Sequence, residues 1–314
     1  MLSLSVRRNR LRASARLLRR SGVLYILTGS LGYAFLPVWV RWLEPSGLTA
    51  LDMTFWRYLL AVPAVWATLA LLGTPAPAKA LPWRGLLVLG LILAATALSA
   101  FIGLQLMPVP TYALLIYSYP AQVAIINYLL GERLSRRSWM ALLATSSGIL
   151  LTLYGVEGGF AGIGLPGAIV AFLNALFIAL YFLVNSHIMR GNAAIQHAAA
   201  WATTAALIVI LPFSLFARVT IPTDMVTWLW LTCLAVWSTV MPIFMYMTGI
   251  QRLGSSRAAI LSTSEPVLTS VIALLILGEA LQPLQIPGGA LIILSILLLR
   301  AAPRSSGKGA AAGA

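Results

Sequence analysis

The sequence predicts an all-α integral membrane protein with ten transmembrane helices, arranged as two inverted five-helix repeats. Three observations carry this prediction. Of 314 residues, 60% are hydrophobic and 9% charged, where an average soluble domain has roughly 45–50% and 25%. The apolar residues fall into ten long runs separated by short connections. A set of polar and helix-breaking residues also recurs 146 positions further along the chain.

The composition excludes a soluble globular enzyme. With 7 acidic and 21 basic residues, a mixed-charge aqueous surface cannot be assembled. A net charge of +14 would suggest nucleic acid in a soluble protein. Here the basic residues flank apolar runs, as membrane insertion orients them, so no nucleic-acid partner is expected. Cys233 is the one cysteine, which leaves no internal disulfide to form.

A spanning helix takes about 20 mostly apolar residues. The first five runs are 21–42, 51–72, 83–106, 110–130 and 138–154; the second five are 164–189, 196–216, 225–251, 258–277 and 283–299. Turn formers such as Pro45, Ser46 and Gly47, or Gly158 and Gly159, separate them. The chain then divides into a basic arm (1–20), a first repeat (21–154), a second repeat (155–300) and a tail (301–314). The arm is Arg-rich and free of acids, which fits a cytoplasmic segment lying on anionic headgroups or an organelle-targeting segment. With both termini cytoplasmic, eighteen basic residues lie inside, Arg41 and Arg218 outside, and Arg57 within the second span, which accounts for all 21. That bias and the short loops suit a bacterial inner membrane.

The duplication is specific. Gly103, Leu104 and Gln105 return as Gly249, Ile250 and Gln251; Ala113, Leu115, Ser118 and Pro120 return as Ala259, Leu261, Ser264 and Pro266. One residue out of step, Gly131, Glu132 and Leu134 meet Gly278, Glu279 and Leu281. Five spans per half is an odd number, so the second copy enters the membrane in the opposite sense.

A proline midway along a helix, eleven or twelve residues before Gly-Glu at its end and repeated in both halves, resembles the EamA family of the drug/metabolite transporter superfamily. The resemblance covers about 22–300 and is strongest over 103–148 and 249–300. It implies ten helices around a cavity shared by the repeats, and export of small metabolites or amino acids. The sequence departs from strict symmetry, because eleven residues separate Pro120 from Gly131 and twelve separate Pro266 from Gly278. One residue turns a helix by about 100°, so Glu132 and Glu279 cannot occupy equivalent faces.

Glu265 is the sharpest candidate for a functional residue, an acid without other charges in the run 258–277. A carboxylate in hydrocarbon costs roughly 2.5–3.5 kcal/mol on insertion scales. It therefore lines a wet cavity, as a substrate contact or proton-coupling site, or stays protonated as a structural group beside Pro266. Pro120 and Pro266 release carbonyls about one turn earlier, either as helix kinks or as cavity ligands. Tyr117, Ser118 and Tyr119 surround the first proline, with Thr263, Ser264 and Glu265 around the second. Arg57, beside Trp56, either meets an anionic group of the substrate or pairs with Asp52 or Glu44. Asn174 and Tyr181 are seven apart and share a helix face, facing a cavity or bonding a neighbouring helix. Glu132 and Glu279 read as local caps or partners of Arg133 and Arg136.

No catalytic residue, metal or cofactor is expected. His187 and His197 are ten apart, which is not a ligand spacing. Residues 162–167 satisfy G-x-G-x-x-G but follow no strand. With no nucleotide-binding loop, transport would draw on a gradient or on the substrate itself. The reading is a secondary transporter of small molecules working by alternating access. Its alternatives are a channel-like facilitator, a non-transporting scaffold, or an intramembrane lipid-modifying enzyme, the last lacking an activated nucleophile. Oligomeric state is not legible.

Overall fold

The computed structural model describes residues 22–74, 77, 81–131, 135–154, 159–188, 194–253, 261–262 and 264–301. The basic arm 1–20, the tail from 302, and Glu132, Arg133 and Thr263 lie outside the described residues, as does the side chain of His187.

All regular structure among the described residues is helical. Seven helices are long and apolar enough to cross a bilayer: Gly22–Ser46, Ala50–Leu71, Trp83–Leu106, Val109–Leu129, Gly164–Asn185, Gln196–Ala217 and Met225–Tyr246. The chain is thus an integral membrane protein. The expected count of ten is not reached by the described helices. Ser264–Leu277 and Gln285–Leu298 are apolar but shorter; about 14 residues rise about 21 Å, less than a hydrocarbon core of about 30 Å. Arg136–Tyr154 has 19 residues and opens on two arginines, and it is not among the seven.

Four of the expected runs are interrupted, each at a proline or about one turn from it, the first run at Phe35, two residues before Pro37. The fourth run is two helices, α5 (Val109–Ile116) and α6 (Tyr119–Leu129). Pro120 falls in the first turn of α6, where its missing N–H breaks no bond and its fixed φ suits helix entry. In the ninth, the helix α12 (Ser264–Ile272) starts at Ser264 with Glu265 and Pro266 in its first turn, after a bend at Ser262. Glu265 therefore opens a half-helix rather than sitting inside a continuous one. Both repeats break at corresponding positions.

The eighth run comprises α10 (Met225–Ala235), a π-helical turn (Val236–Val240) and α11 (Met241–Leu253). Pro242 has no N–H to offer the carbonyl four residues back, so Ser238 O is released and the helix widens there.

The remaining elements are α1 (22–34), α2 (Leu36–Leu43), α3 (Ala50–Leu71), α4 (Trp83–Leu106), α7 (Arg136–Tyr154), α8 (Gly159–Ile188), α9 (Ile195–Ala217) and α13 (Gln285–Ala301). A capping box starts α3: Thr49 accepts from the Asp52 amide and Asp52 accepts from the Thr49 amide. α8 is kinked at Gly164, whose φ of 71° only glycine adopts freely.

Packing concentrates on four helix pairs: α7 with α13, α4 with α8, α4 with α9, and α3 with α9. The first pair is close because Gly148 and Gly288 face each other. A Cβ on Gly148 would lie 2.7 Å from Gly288 O, and one on Gly288 would lie 2.8 Å from Gly148 O. α12 packs on α5, which joins the two interrupted runs.

Asn174 ties α8 to two neighbours. Its Nδ2 donates to Thr96 O (2.6 Å) and Ser99 Oγ (2.8 Å) of α4, and its Oδ1 accepts from the Tyr112 hydroxyl (3.0 Å) of α5. The side chain is fully buried and saturated, so of the two readings open from the sequence it serves interhelical bonding. Asn174→Leu keeps the volume but strands the Tyr112 hydroxyl. It is expected to cost about 2–3 kcal/mol, read as a lower Tm of the purified protein.

Candidate functional site

The two broken helices meet around Glu265. The Tyr246 hydroxyl, from α11, donates to Glu265 Oε2 at 3.0 Å. Tyr117, the C-terminal cap of α5, lies beside the same carboxyl. Tyr246 is held in turn by Ser30 of α1, with Oγ 2.9 Å from the hydroxyl, and by the Tyr33 ring, edge-on at 5.6 Å. Gly29 makes room for the Tyr246 ring; a Cβ there would collide with it. The carboxyl is half-buried at the first turn of α12, where the free amides of a helix start favour negative charge.

An aromatic wall continues from Tyr117 to Tyr119 (5.9 Å), from Tyr119 to Phe182 (5.4 Å, rings stacked) and from Phe182 to Tyr181 (6.1 Å). Of the residues singled out from the sequence, Glu265, Tyr117, Tyr119 and Tyr181 lie along this surface. Ser118 is buried and in contact with the Gln122 amide, and Ser264 donates to Leu261 O, so both satisfy local backbone or neighbours at the breaks. Trp56 lies elsewhere: its indole donates to Thr220 O (2.9 Å) and its ring packs edge-on against Trp228.

Arg57 does not pair with Asp52 or Glu44. Asp52 is engaged by Thr49 and by the Thr220 amide (3.1 Å), and Glu44 by Arg41 (2.7 Å). The guanidinium instead turns inward onto the π turn of the eighth run, donating from Nε to Thr239 Oγ1 at 2.7 Å and from Nη2 to the released Ser238 O at 3.4 Å. It lies over the rings of Tyr58 (5.8 Å) and Phe101 (5.6 Å). Tyr33 lies within Coulombic reach of both Arg57 and Glu265.

Glu279 is neither a purely local cap nor a partner of Arg136. Its Oε1 accepts from Arg41 Nε (3.1 Å) and its Oε2 from the Val109 amide (2.6 Å), while Arg41 also donates to Glu44 and to Met107 O (2.9 Å). Gly278, at φ 71°, turns the chain so that Glu279 points back across the bundle. The clasp fastens α2 to the start of α5 and the end of the ninth run. Glu279→Gln is expected to lower stability by about 1 kcal/mol, since the pair is partly exposed. The same change should speed thiol labelling of a Tyr33→Cys reporter if the clasp closes this end.

Ser30, Tyr33 and Tyr246 escaped the sequence reading. Ser30 and Tyr33 share one face of α1 at i, i+3 spacing, and Tyr246 precedes the repeated Gly249 by three residues. Those spacings were the available signal. A separate cleft of about 520 Å³ between α4 and α9, lined by residues such as Trp83, Leu86, Trp201 and Ile208, carries no charged side chain. It has nothing to orient a polar solute.

Membrane-crossing helices with two breaks converging on a hydrogen-bonded carboxyl form the kind of bundle that moves solutes across bilayers. This is a membrane transport protein. The chain belongs to the EamA-like transporter family, within the drug/metabolite transporter superfamily, matching the family description over residues 20–154 and again over 165–301. It is similar to "Uncharacterized transporter YcbK" of Bacillus subtilis (strain 168), 26% identical over 277 residues, covering 85% of this chain and 89% of that protein. It is also similar to an "Uncharacterized transporter" of Archaeoglobus fulgidus, 28% identical over 225 residues, covering 69% and 76%. A crystal structure, described only as that of a protein, shares the fold with a TM-score of 0.60 and 18% identity over 89% of this chain and 96% of that one.

Proposed function

We propose that the protein is a secondary transporter that exports small metabolites, amino acids or related amphipathic solutes, across a bacterial inner membrane by alternating access. The observation that carries this reading is the Glu265 carboxyl, hydrogen-bonded by Tyr246 and with Tyr117 beside it, where two interrupted helices meet. Irregular backbone is stable at membrane depth only where protein or a wet cavity satisfies it, so two such breaks side by side suit a solute site.

In this reading the chain crosses the membrane ten times with both termini cytoplasmic, and the two five-helix repeats run in opposite senses. Packing supports it. A two-fold axis in the membrane plane brings equivalent helices together, and the second meets the seventh (α3 on α9) while the fifth meets the tenth (α7 on α13). Glu265, Tyr117, Tyr119 and Tyr181 line the solute path, and the breaks at Pro120 and Pro266 let the half-helices tilt. Glu265 couples transport to protons.

The test is a comparison of solutes in spent medium from cells with and without the protein, followed by counterflow in proteoliposomes with each enriched compound. Trans-stimulation by unlabelled solute is expected. Flux without trans-stimulation would replace the carrier by a channel, and no enriched solute would remove export.

A further inference from the structure

We propose that Arg57 is the anion-binding group of this site and that the transported solute carries a carboxylate or similar oxyanion there. The inference rests on the transporter reading, and deepens it by naming a chemical requirement of the cargo.

Arg57 is 7% exposed, and its contacts are all neutral: one hydroxyl, one carbonyl and two aromatic faces. Its Nη1 has no hydrogen-bond partner among the described residues. A full charge buried in a membrane bundle needs an opposite charge. None of the described carboxylates forms an ion pair with it: Glu44 and Glu279 pair with Arg41, while Asp52 accepts from Thr49 and Thr220, Asp224 from Thr227, and Glu265 from Tyr246.

A chain of contacts also links the guanidinium to the site. Ser238, whose carbonyl it holds, donates its own hydroxyl to Gly32 O at 2.6 Å. The next residue is Tyr33, whose ring meets Tyr246, the partner of Glu265. Arg57 and Glu265 therefore both lie near Tyr33. Pro242 keeps this arrangement in place, because it leaves the Ser238 carbonyl without a helical donor. A planar guanidinium with donors to spare matches a carboxylate bidentately.

The test uses pairs of probes that differ only in charge at one end: phenylpropionate against phenylpropionamide, and phenylalanine against phenylalaninamide. Binding to the purified full-length protein is read as the rise in Tm with probe concentration. The acid of each pair is expected to act at a concentration roughly ten- to hundredfold lower than its amide. Arg57→Gln should erase that ratio and Arg57→Lys should keep part of it. If Arg57→Gln fails to fold, the wild-type ratio and Arg57→Lys decide.

Equal potency of acid and amide, a ratio preserved in Arg57→Gln, or no shift by any carboxylate at its solubility limit would each overturn the proposal. The two readings fail separately. Counterflow of a neutral solute would leave a transporter without this anion site. Acid-over-amide discrimination without counterflow would leave the anion site without a carrier.

Discussion

In proteoliposomes, Glu265→Gln should still exchange solute across the membrane and yet fail to accumulate it under a pH gradient. The amide oxygen can accept the Tyr246 hydroxyl as the carboxyl Oε2 does at 3.0 Å, so the geometry around α12 survives. What the amide cannot do is take up a proton on one side and release it on the other. For one proton per solute, a gradient of about one pH unit is worth about 1.4 kcal/mol, which sustains up to about tenfold accumulation. The variant should fall from that ratio to near equality while its exchange rate stays within the same order. Accumulation unchanged by the substitution would take proton coupling out of the account and leave Glu265 as a hydrogen-bonding group. Tyr246→Phe separates the roles further: it keeps the titrating carboxyl but removes a donor, so coupling should persist with altered affinity.

The largest loss of folded protein is expected from Gly148→Leu or Gly288→Leu. Each glycine faces the other's backbone carbonyl, so even the first carbon of a side chain would sit closer than real contacts allow. The obstacle is main chain on both sides, which cannot rotate away, and the α7 and α13 axes would have to separate. Without a hydrophobic drive between helices in lipid, close packing of small residues is a main source of association. Thr145 Oγ1 to Ser295 Oγ (2.7 Å), a buried bond across the same interface, would be lost with it. A cost of about 3 kcal/mol or more follows from overpacking of this kind, read as loss of the monodisperse peak and a lower Tm. Gly148→Ala should fall between. Wild-type stability in both leucine variants would mean that the helices do not approach as described.

Much of the fold was legible because its signals are local. The apolar runs require no partner to be recognised, and six of the ten predicted spans match single helices within a few residues, though not all six are long enough to cross. Pro120 and Pro266, at equal places in the repeat, marked where the backbone would deviate. They read as kinks, and regular helix lapses beside each, at Tyr117 and Ser118 and at Ser262, with dihedrals that stay near helical at the first. The π turn near Arg57 was missed for a related reason: Pro242 reports a lost bond, but only the neighbouring helix shows which group takes the freed carbonyl.

The site was legible only in part. Glu265 announced itself through the cost of an acid in an apolar run, and Arg57 through the rarity of a cation in one. Their surroundings did not. Of the two readings open for Arg57, pairing with Asp52 or Glu44 rested on sequence distance, but both acids are already engaged, one by a helix cap and a loop amide, the other by Arg41. Glu279 reached Arg41 across 238 positions, a pairing no spacing rule suggests.

The amino-acid sequence alone settled that this chain lives in a membrane, that it was built by duplicating one unit, and two of the places where its helices falter, since hydropathy and proline act on their own segment. Tertiary structure decided which tyrosines hold the carboxyl, which carbonyl takes the guanidinium, and which acid fastens the helix ends. In lipid a helix can be apolar on every side, so its inward face is chosen by packing against neighbours and leaves little trace in the periodicity of the sequence.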